Sequence, residues 1–532
     1  MCGISCSISK SRSCVQDVIN NLKQIQNRGY DSYGIFNGTQ IYKDIGNKIE
    51  DQNGCSLTDS KICISHTRWA THGGVCYKNT HPIIEHGIGI VHNGVVDNVH
   101  NIIKEYSVQN EQSETDTEII LKLYIQFYNH TQDQEQSIKL TRNILAGSNS
   151  FVIIHLDKLY YSTVNMPLII FRSEDTDNVY VTSEPVYWQM DGYYKREINS
   201  YGVVSFENIK GVFYKANPLQ NNFISNHMLS EIYQVNDIIK TKPTKHINLD
   251  TDVILYACGS SYHACLLYKN YVEIYSSFNI KVVDACIYVN EIKQINKEAL
   301  HVFVSQSGET RDILDIIDKL GNVKKLGIVN NDNSTLTQLC DNIINMDTGK
   351  EMAVASTKSY IASFINLLYT SNFPLQEITI DTGRLKIEYI KNLASSIHKY
   401  TSIFICGWDS VTHNIAMEVA LKLKEISYIH AEAITLKGLK HGPFALLDNN
   451  CGVIVIEPFE NDIRVDSILS QIACRIDKKN ISLLSTCFNK PDNYLDYILN
   501  SCITGQLLAY YTAVKLNIDP CFPRNIAKVI TV

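Results

Sequence analysis

The chain has 532 residues, 45% of them apolar and 19% charged, and a formal net charge of -7. That length supplies material for three or four domains with real cores, and the apolar content excludes a disordered chain. With 48 basic against 55 acidic residues and no basic block, nucleic acid and anionic membrane are excluded as expected partners, so any anion must be bound locally.

No apolar run reaches the roughly 18 residues that a bilayer-spanning helix requires. Residues 2–10 are too polar for a signal peptide. Sixteen cysteines are scattered along the chain and none forms a Cys-x-x-Cys pair. They read as reduced thiols of a cytoplasmic protein.

The chain opens Met1-Cys2-Gly3-Ile4-Ser5. If Met1 is removed, Cys2 carries both a thiol and a free α-amine, a nucleophile and a base on one residue. A cysteine at position two says little by itself, so its meaning depends on the rest of the chain. Residues 14–28 and 115–128 have helical spacing, whereas 61–65, 88–91, 151–155, 179–182 and 202–206 read as short strands. This predicts an α+β layered domain.

Polar residues gather at the ends of these segments. They include Arg28-Gly29-Tyr30-Asp31-Ser32, Thr67-Arg68-Trp69-Ala70-Thr71-His72-Gly73, Asn79-Thr80-His81-Pro82 and Val91-His92-Asn93-Gly94. Ser113-Glu114-Thr115-Asp116-Thr117-Glu118 has the Ser/Thr-x-x-Glu pattern of a capping box. Five histidines lie between His66 and His92, but their spacing fits no zinc motif, and hydrogen-bonding core histidines are the expectation, with no metal. Asn93-Gly94 at a strand end is also compatible with an ordinary hairpin turn.

Residues 227–240 form an amphipathic segment interrupted by Lys242-Pro243-Thr244-Lys245, which marks a domain junction. From 251 onward the pattern becomes strand, tight turn, helix. Strands are predicted at 253–257, 300–304 and 325–329, and again at 403–406, 452–456 and 481–485. The pattern gives two diverged copies of a doubly wound parallel α/β module, with ligands expected at the carboxyl ends of the strands.

Ser305-Gln306-Ser307-Gly308-Glu309-Thr310 lies at such an end, with Ser260 and Ser261 at the neighbouring one. Hydroxyls, a glycine and a helix N-terminus suit a phosphate, although a capped turn needs the same residues. The corresponding turn of the second copy, residues 457–460, has two acids and no hydroxyl. Only the first copy is therefore expected to bind phosphate. Glu418, Lys422 and Glu425 share one side of a helix predicted from about residue 413, either as the edge of a site or as an exposed ion-pair ladder. Lys528, among Ala, Val and Ile, is either an amine nucleophile or a snorkelling surface lysine.

The first-half motifs, Cys2-Gly3-Ile4, Arg-Gly-Tyr-Asp-Ser, Thr-Arg-Trp-Ala-Thr-His-Gly, His-Asn-Gly and Ser-Glu-Thr-Asp-Thr-Glu, resemble in residues and order the class II glutamine amidotransferases. The resemblance implies a glutaminase in which Cys2 attacks the side-chain amide of glutamine and Asn93 with the Gly94 N–H forms the oxyanion hole. Arg68 would pair with the substrate carboxylate and Asp116 with its ammonium, with Trp69, Thr71, His72 and His81 completing the glutamine site.

The junction His227-Met228-Leu229-Ser230-Glu231-Ile232-Tyr233, the stretch 421–432, Lys440-His441-Gly442-Pro443, Val354-Ala355-Ser356-Thr357-Lys358 and Pro523-Arg524-Asn525-Ile526-Ala527-Lys528 extend the likeness to the end of the chain. Here it is similar to the glutamine–fructose-6-phosphate aminotransferases, which join a glutaminase to two SIS (sugar isomerase) domains. That resemblance implies an α/β multidomain chain. Residues 2–225 would form an Ntn-type αββα glutaminase, followed by a linker at 226–247. SIS domains would span 248–385 and 395–522, with a catalytic tail at 523–532.

Glutamine and fructose 6-phosphate are the implied partners, with no cofactor, and the chain is expected to form a homodimer or higher oligomer. Ser260, Ser261, Ser305, Gln306, Ser307, Thr310, Val354 and Ser356 would hold the sugar phosphate. His441 would assist ring opening, Lys528 would form a Schiff base with the ketone, and Glu425 would move a proton between C1 and C2 beside Lys422. Trp69 and Ala527 would line an ammonia passage.

The chain departs from this family at residues 436–439 (Leu-Lys-Gly-Leu), at 164–168, and in lacking a proline after Glu-Ile-Tyr. Alternatives are a glutaminase serving another acceptor, an isomerase with an inactive glutaminase, and a sugar-phosphate sensor. A sensor would need the hydroxyl-rich turn but not Cys2, Glu425 or Lys528.

Overall fold

The computed structural model describes residues 2–46, 48–70, 73–164, 166, 168–173, 177–183, 192–197, 201–205, 212–215, 227–238, 252–276, 278–289, 295–371, 382–526 and 528. Thr71, His72 and Ala527 lie outside them. The chain divides into two compact units, Met1–Phe223 with Ala527–Val532, and Ile224–Ile526.

In the first unit the strands are β1 (Gly3–Ser9), β2 (Ser32–Phe36), β3 (Ile41–Ile45), β4 (Ile62–Arg68), β5 (Ile83–Glu85), β6 (Ile88–Gly94) and β7 (Asn149–His155). They continue as β8 (Lys158–Val164), β9 (Ile169–Ser173), β10 (Asn178–Thr182), β11 (Gly192–Glu197), β12 (Tyr201–Val203) and β13 (Val212–Lys215). Two antiparallel sheets result, ordered β13-β11-β9-β10-β1-β4-β2-β3 and β12-β8-β7-β6-β5.

Strict two-residue alternation sorts their side chains into layers. On β4, Ile62 and Ile64 face Val91, Val152 and Ile154 of the other sheet, while Cys63 between them faces a helix. That helix, Val15–Gln24, lays Val15, Val18, Ile19 and Leu22 against Tyr33 and Ile35. On β7, Phe151 and Ile153 turn the opposite way, toward Ile120, Leu123 and Tyr124 of the helix Asp116–Thr131. The layering is helix, sheet, sheet, helix, the αββα arrangement expected.

The anticipated capping box takes a different form. Thr115 is the N-cap but makes no side-chain capping bond. The Glu118 carboxylate instead accepts the backbone N–H groups of Glu111, Gln112 and Ser113 and the Ser113 hydroxyl, organising the preceding loop.

In the second unit the strands are β14 (Val253–Ala257), β15 (Ile280–Asp284), β16 (Leu300–Ser305), β17 (Lys325–Val329), β18 (Asn342–Asn345), β19 (Ser402–Gly407), β20 (His430–Thr435), β21 (Cys451–Ile456) and β22 (Ile481–Leu483). Both sheets are parallel, ordered β15-β14-β16-β17-β18 and β20-β19-β21-β22. The shared order, second-first-third-fourth, is the duplication seen in the sequence. The direction of winding reverses between β14 and β16, which places residues 258–261 and 305–310 side by side at the switch point where such sheets bind ligands. Short edge strands β15, β18 and β20 were absent from the sequence reading because polar residues interrupt their apolar pattern. The predicted strand at 481–485 stops at Leu483 and continues as a 3-10 turn, Leu484–Cys487.

The helix Ser410–Ser427 runs along the buried helix Tyr494–Lys515. A Cβ at Gly505 would sit 2.2 Å from Val419 Cγ2, and valine has little rotamer freedom in a helix. Gly505→Ala would raise helix propensity by about 1 kcal/mol on an exposed face. Here the overlap should prevail, and a net loss of about 1–3 kcal/mol is expected in urea unfolding of the full chain.

Candidate active sites

In the first unit Cys2 precedes β1, and its thiol lies against the backbone just beyond β4. The Trp69 N–H donates to Cys2 Sγ at 3.3 Å, and Sγ lies 3.4 Å from the Trp69 carbonyl. Arg28 Nε donates to the Cys2 carbonyl at 2.9 Å. Burial raises the thiol pKa, opposed by the terminal ammonium, the Trp69 N–H, Arg68 and Arg28. The thiol is therefore a resting acid that needs a base before it can attack.

Asn93 is fully buried at the carboxyl end of β6. Carbonyl oxygens only accept, so the 2.8 Å contact from His66 Nε2 to the His92 carbonyl fixes the proton on Nε2. The same N–H points at Asn93 Oδ1, 3.2 Å away. Its Oδ1 thus faces His66 and its Nδ2 faces away, where among the described residues it has no hydrogen-bond partner. An amide donor held in place but unused is what a transient oxyanion requires. Gly94 beside it has φ +111°, and a Cβ there would lie 2.1 Å from the Ser148 carbonyl, so the strand end admits only glycine. Asn93 pairs with Ser150 and Gly94 with Asn149 in the β6–β7 ladder, which places them within a strand rather than at a hairpin turn.

His81 and His92 both reach the Thr117 hydroxyl, through Nε2 at 2.8 Å and Nδ1 at 3.0 Å, and His66 stacks edge-on against His81. Burial pushes His66 down to about 3 and His81 well below the ordinary imidazole value. Asp116 uses one carboxylate oxygen to accept the Val96 N–H at 3.0 Å. The other lies 3.7 Å from His92. The Arg68 guanidinium donates to the Gly73 and Gly74 carbonyls, each at 3.2 Å, and so also pins the loop after β4. Trp69 packs edge-on against Tyr30.

In the second unit Ser305 Oγ accepts the Gly308 N–H and shares a hydrogen bond with Thr310, while Ser307 Oγ accepts the Glu309 N–H. The Glu309 carboxylate receives the Thr335 N–H and hydroxyl, each at 2.8 Å. Ser305 and Ser307 are thus the frame of the turn. Ser261 and Gln306 are half-exposed and make no side-chain hydrogen bond among the described residues. Ser356 bonds to Ser359 at 2.6 Å, and the Val354 N–H donates to the Cys521 carbonyl. Glu351 braces this loop by accepting from Thr357 and Ser359, and Glu231 of the junction helix accepts the Ala353 N–H.

Ser260 is drawn elsewhere. Its hydroxyl donates to Glu418 at 2.9 Å, and His263 Nδ1 lies 2.8 Å from the same carboxylate. Lys422 stands 3.4 Å from Glu418 and contacts Glu425 more closely. Lys422 is completely buried and Glu418 nearly so, so this is no exposed ion-pair ladder. Burial would raise the Glu418 carboxyl, but Lys422, His263 and Ser260 outweigh it and hold it below its usual value. Burial likewise would lower Lys422, and the two carboxylates reverse that. Glu425 keeps partial solvent access at the rim. Sequence reasoning placed Glu418 on this face but missed the partnership with His263 and Ser260, which comes from a helix of the other copy.

His441 is exposed after the 3-10 turn Gly438–Lys440 and makes no side-chain hydrogen bond or ion pair among the described residues. Lys437, in the unusual stretch 436–439, lies 4.0 Å over the Trp408 ring. Lys528 is half-buried and belongs to the first unit.

The SIS domain family model matches residues 249–370 and 396–481, so the parallel half is of the sugar-isomerase type. Full-length relatives extend this to the whole chain. The glutamine--fructose-6-phosphate aminotransferase (isomerizing) of Buchnera aphidicola is 32% identical and that of Oceanobacillus iheyensis 30%, each alignment covering all of both chains. Among solved structures, the C-terminal domain of glucosamine-fructose-6-phosphate aminotransferase from Francisella tularensis aligns at 27% identity with TM-score 0.47, covering 56% of this chain and 98% of that one. The chain belongs to the glutamine–fructose-6-phosphate aminotransferase (isomerizing) family.

Two of these pairings can be tested by stability. Lys422→Met leaves Glu418 buried without its main counter-charge, and urea unfolding should show a loss of about 3–5 kcal/mol. For the histidines, the unfolded chain takes up protons near pH 6.5, whereas folded His66 does so only near 3. Stability of the first unit should therefore fall as the pH drops from about 6.5 toward 3, and His66→Gln should flatten part of that slope.

Proposed function

We propose that this chain transfers the side-chain amide nitrogen of glutamine to fructose 6-phosphate and isomerises the adduct to glucosamine 6-phosphate, leaving glutamate. The observation that carries the reading is that relatives of that name align with the chain from end to end, so both half-reactions have their counterparts in it.

In the glutaminase half, Cys2 Sγ attacks the amide carbon after Met1 is removed. Its proton passes to its own α-amine, the base closest at hand for a thiol whose pKa burial has raised. Negative charge developing on the amide oxygen is met by Asn93 Nδ2, with the Gly94 N–H as second donor. Ammonia then leaves and water resolves the thioester. Arg68 and Asp116 take the α-carboxylate and α-ammonium of glutamine, alongside Trp69, Thr71, His72 and His81.

In the sugar half, the turn Ser305–Thr310, with Ser261, Val354 and Ser356, holds the phosphate dianion at the switch point of the first sheet. Lys528 forms a Schiff base with the C2 ketone, His441 assists ring opening, and Glu425 shuttles the proton between C1 and C2. Lys422 contacts Glu425 directly and so holds its carboxylate in place at the rim. The Ser260 hydroxyl serves the Glu418 carboxylate rather than the phosphate.

The decisive assay supplies glutamine and fructose 6-phosphate and measures glutamate and glucosamine 6-phosphate. Absence of the amino sugar would overturn the reading. Cys2→Ala should abolish glutamine consumption while sparing sugar isomerisation, and Asn93→Ala should lower glutaminase kcat by about 10²–10³-fold. Lys528→Ala and Glu425→Gln should stop the sugar half with glutaminase activity retained. An active Cys2→Ala glutaminase would remove Cys2 as the nucleophile.

A further inference from the structure

At the carboxyl ends of β14 and β15 lies a cluster to which the proposed reaction assigns no role. Ala257 pairs with Asp284 in register, so the residues just beyond each strand end are neighbours. They are Cys258, which caps the helix Gly259–Glu273, and Cys286, in the short helix Ala285–Tyr288 that Asp284 begins. One ligand atom from each of Cys258, Asp284 and Cys286 lies within 4.8 Å of the others. Asp312, in the first turn of the helix Arg311–Leu320, adds a second carboxylate that interacts with both thiols.

We propose that Cys258, Cys286 and Asp284 form a site for a thiophilic divalent cation of the zinc class, with the Asp312 carboxylate beside it. Two sulfurs and one carboxylate oxygen supply three of the four ligands that tetrahedral zinc takes, leaving one position for water, and neither magnesium nor calcium favours thiolates. Occupation balances simply: the cation enters, each thiol gives up its proton to solvent, and two sulfur–metal bonds form. Asp312 adds a second acidic side chain next to the three, which favours a cation over an anion at this place.

The location adds a consequence. Cys258 stands two positions before Ser260, and Asp312 two positions after Thr310. A bound cation would tie together the two strand-end loops that frame the switch point.

The test uses the reduced, metal-free full chain titrated with Zn2+ against a chromophoric chelator, and with Co2+ to look for thiolate-to-cobalt charge-transfer absorption. One tight equivalent per chain is expected for the wild type. Cys286 is exposed, so Cys286→Ser should fold normally, weaken Zn2+ binding at least about 100-fold and remove the charge-transfer band. Asp284→Asn keeps an acceptor for the Cys286 N–H and should weaken binding about tenfold. The proposal is overturned if the wild type takes up no tight equivalent, or if Cys286→Ser and Cys258→Ser retain it unchanged. None of these readouts depends on amino sugar synthesis, so failure here and failure of the enzymatic reading are separable.

Discussion

The second unit depends on one buried carboxylate. Glu418 sits on a helix of the second copy and takes its hydrogen bonds from Ser260 and His263 on a helix of the first. An isolated charge at that depth would be prohibitive, and removing one partner from such a cluster costs several kcal/mol. The two modules are thereby held in one register, since sliding one helix against the other would strand the charge. Lys422 extends the cluster to Glu425, so the interaction that joins the copies also positions the proposed proton shuttle.

A similar economy governs the first unit, with neutral groups in place of charges. His66 reaches from β4 to the end of β6 and donates one N–H to two acceptors, the His92 carbonyl and Asn93 Oδ1. The second contact orients the amide and leaves Nδ2 for a ligand. Neutral imidazole suits this position, because a cation there would compete with the substrate for nearby anions. His66, His81 and His92 make hydrogen bonds to Thr117, the backbone and Asn93, the hydrogen-bonding role their spacing led one to expect. All sixteen cysteines are free thiols, as their scattered spacing implied.

Several of the proposed site residues also hold the backbone around them. Ser305, Ser307 and Glu309 use polar groups to shape the turn, while among the described residues the Ser261 and Gln306 side chains at its rim make no hydrogen bond. Arg68 and Asp116 likewise hold backbone near the thiol and the Asn93–Gly94 strand end. Among the described residues no helix is long and apolar enough to cross a membrane.

The sequence by itself determined the α/β character, the duplication, and the strand-end positions of Asn93, Ser260–Ser261 and Ser305–Thr310, because alternation and strand–turn–helix order are local properties of the chain. Its motifs also sufficed to indicate the family. What tertiary structure decided is everything that needs two distant segments at hydrogen-bond distance. Ser260 turned out to serve a carboxylate 158 positions away, and His66 to orient an amide 27 positions on. Glu425 and Lys422 lie on one helix and could be paired from spacing, but whether that face was wet or dry depended on the packing of the Gly259–Glu273 and Tyr494–Lys515 helices against it. Cys258 and Cys286 show the same limit: no local motif joins them, and only the β14–β15 register does.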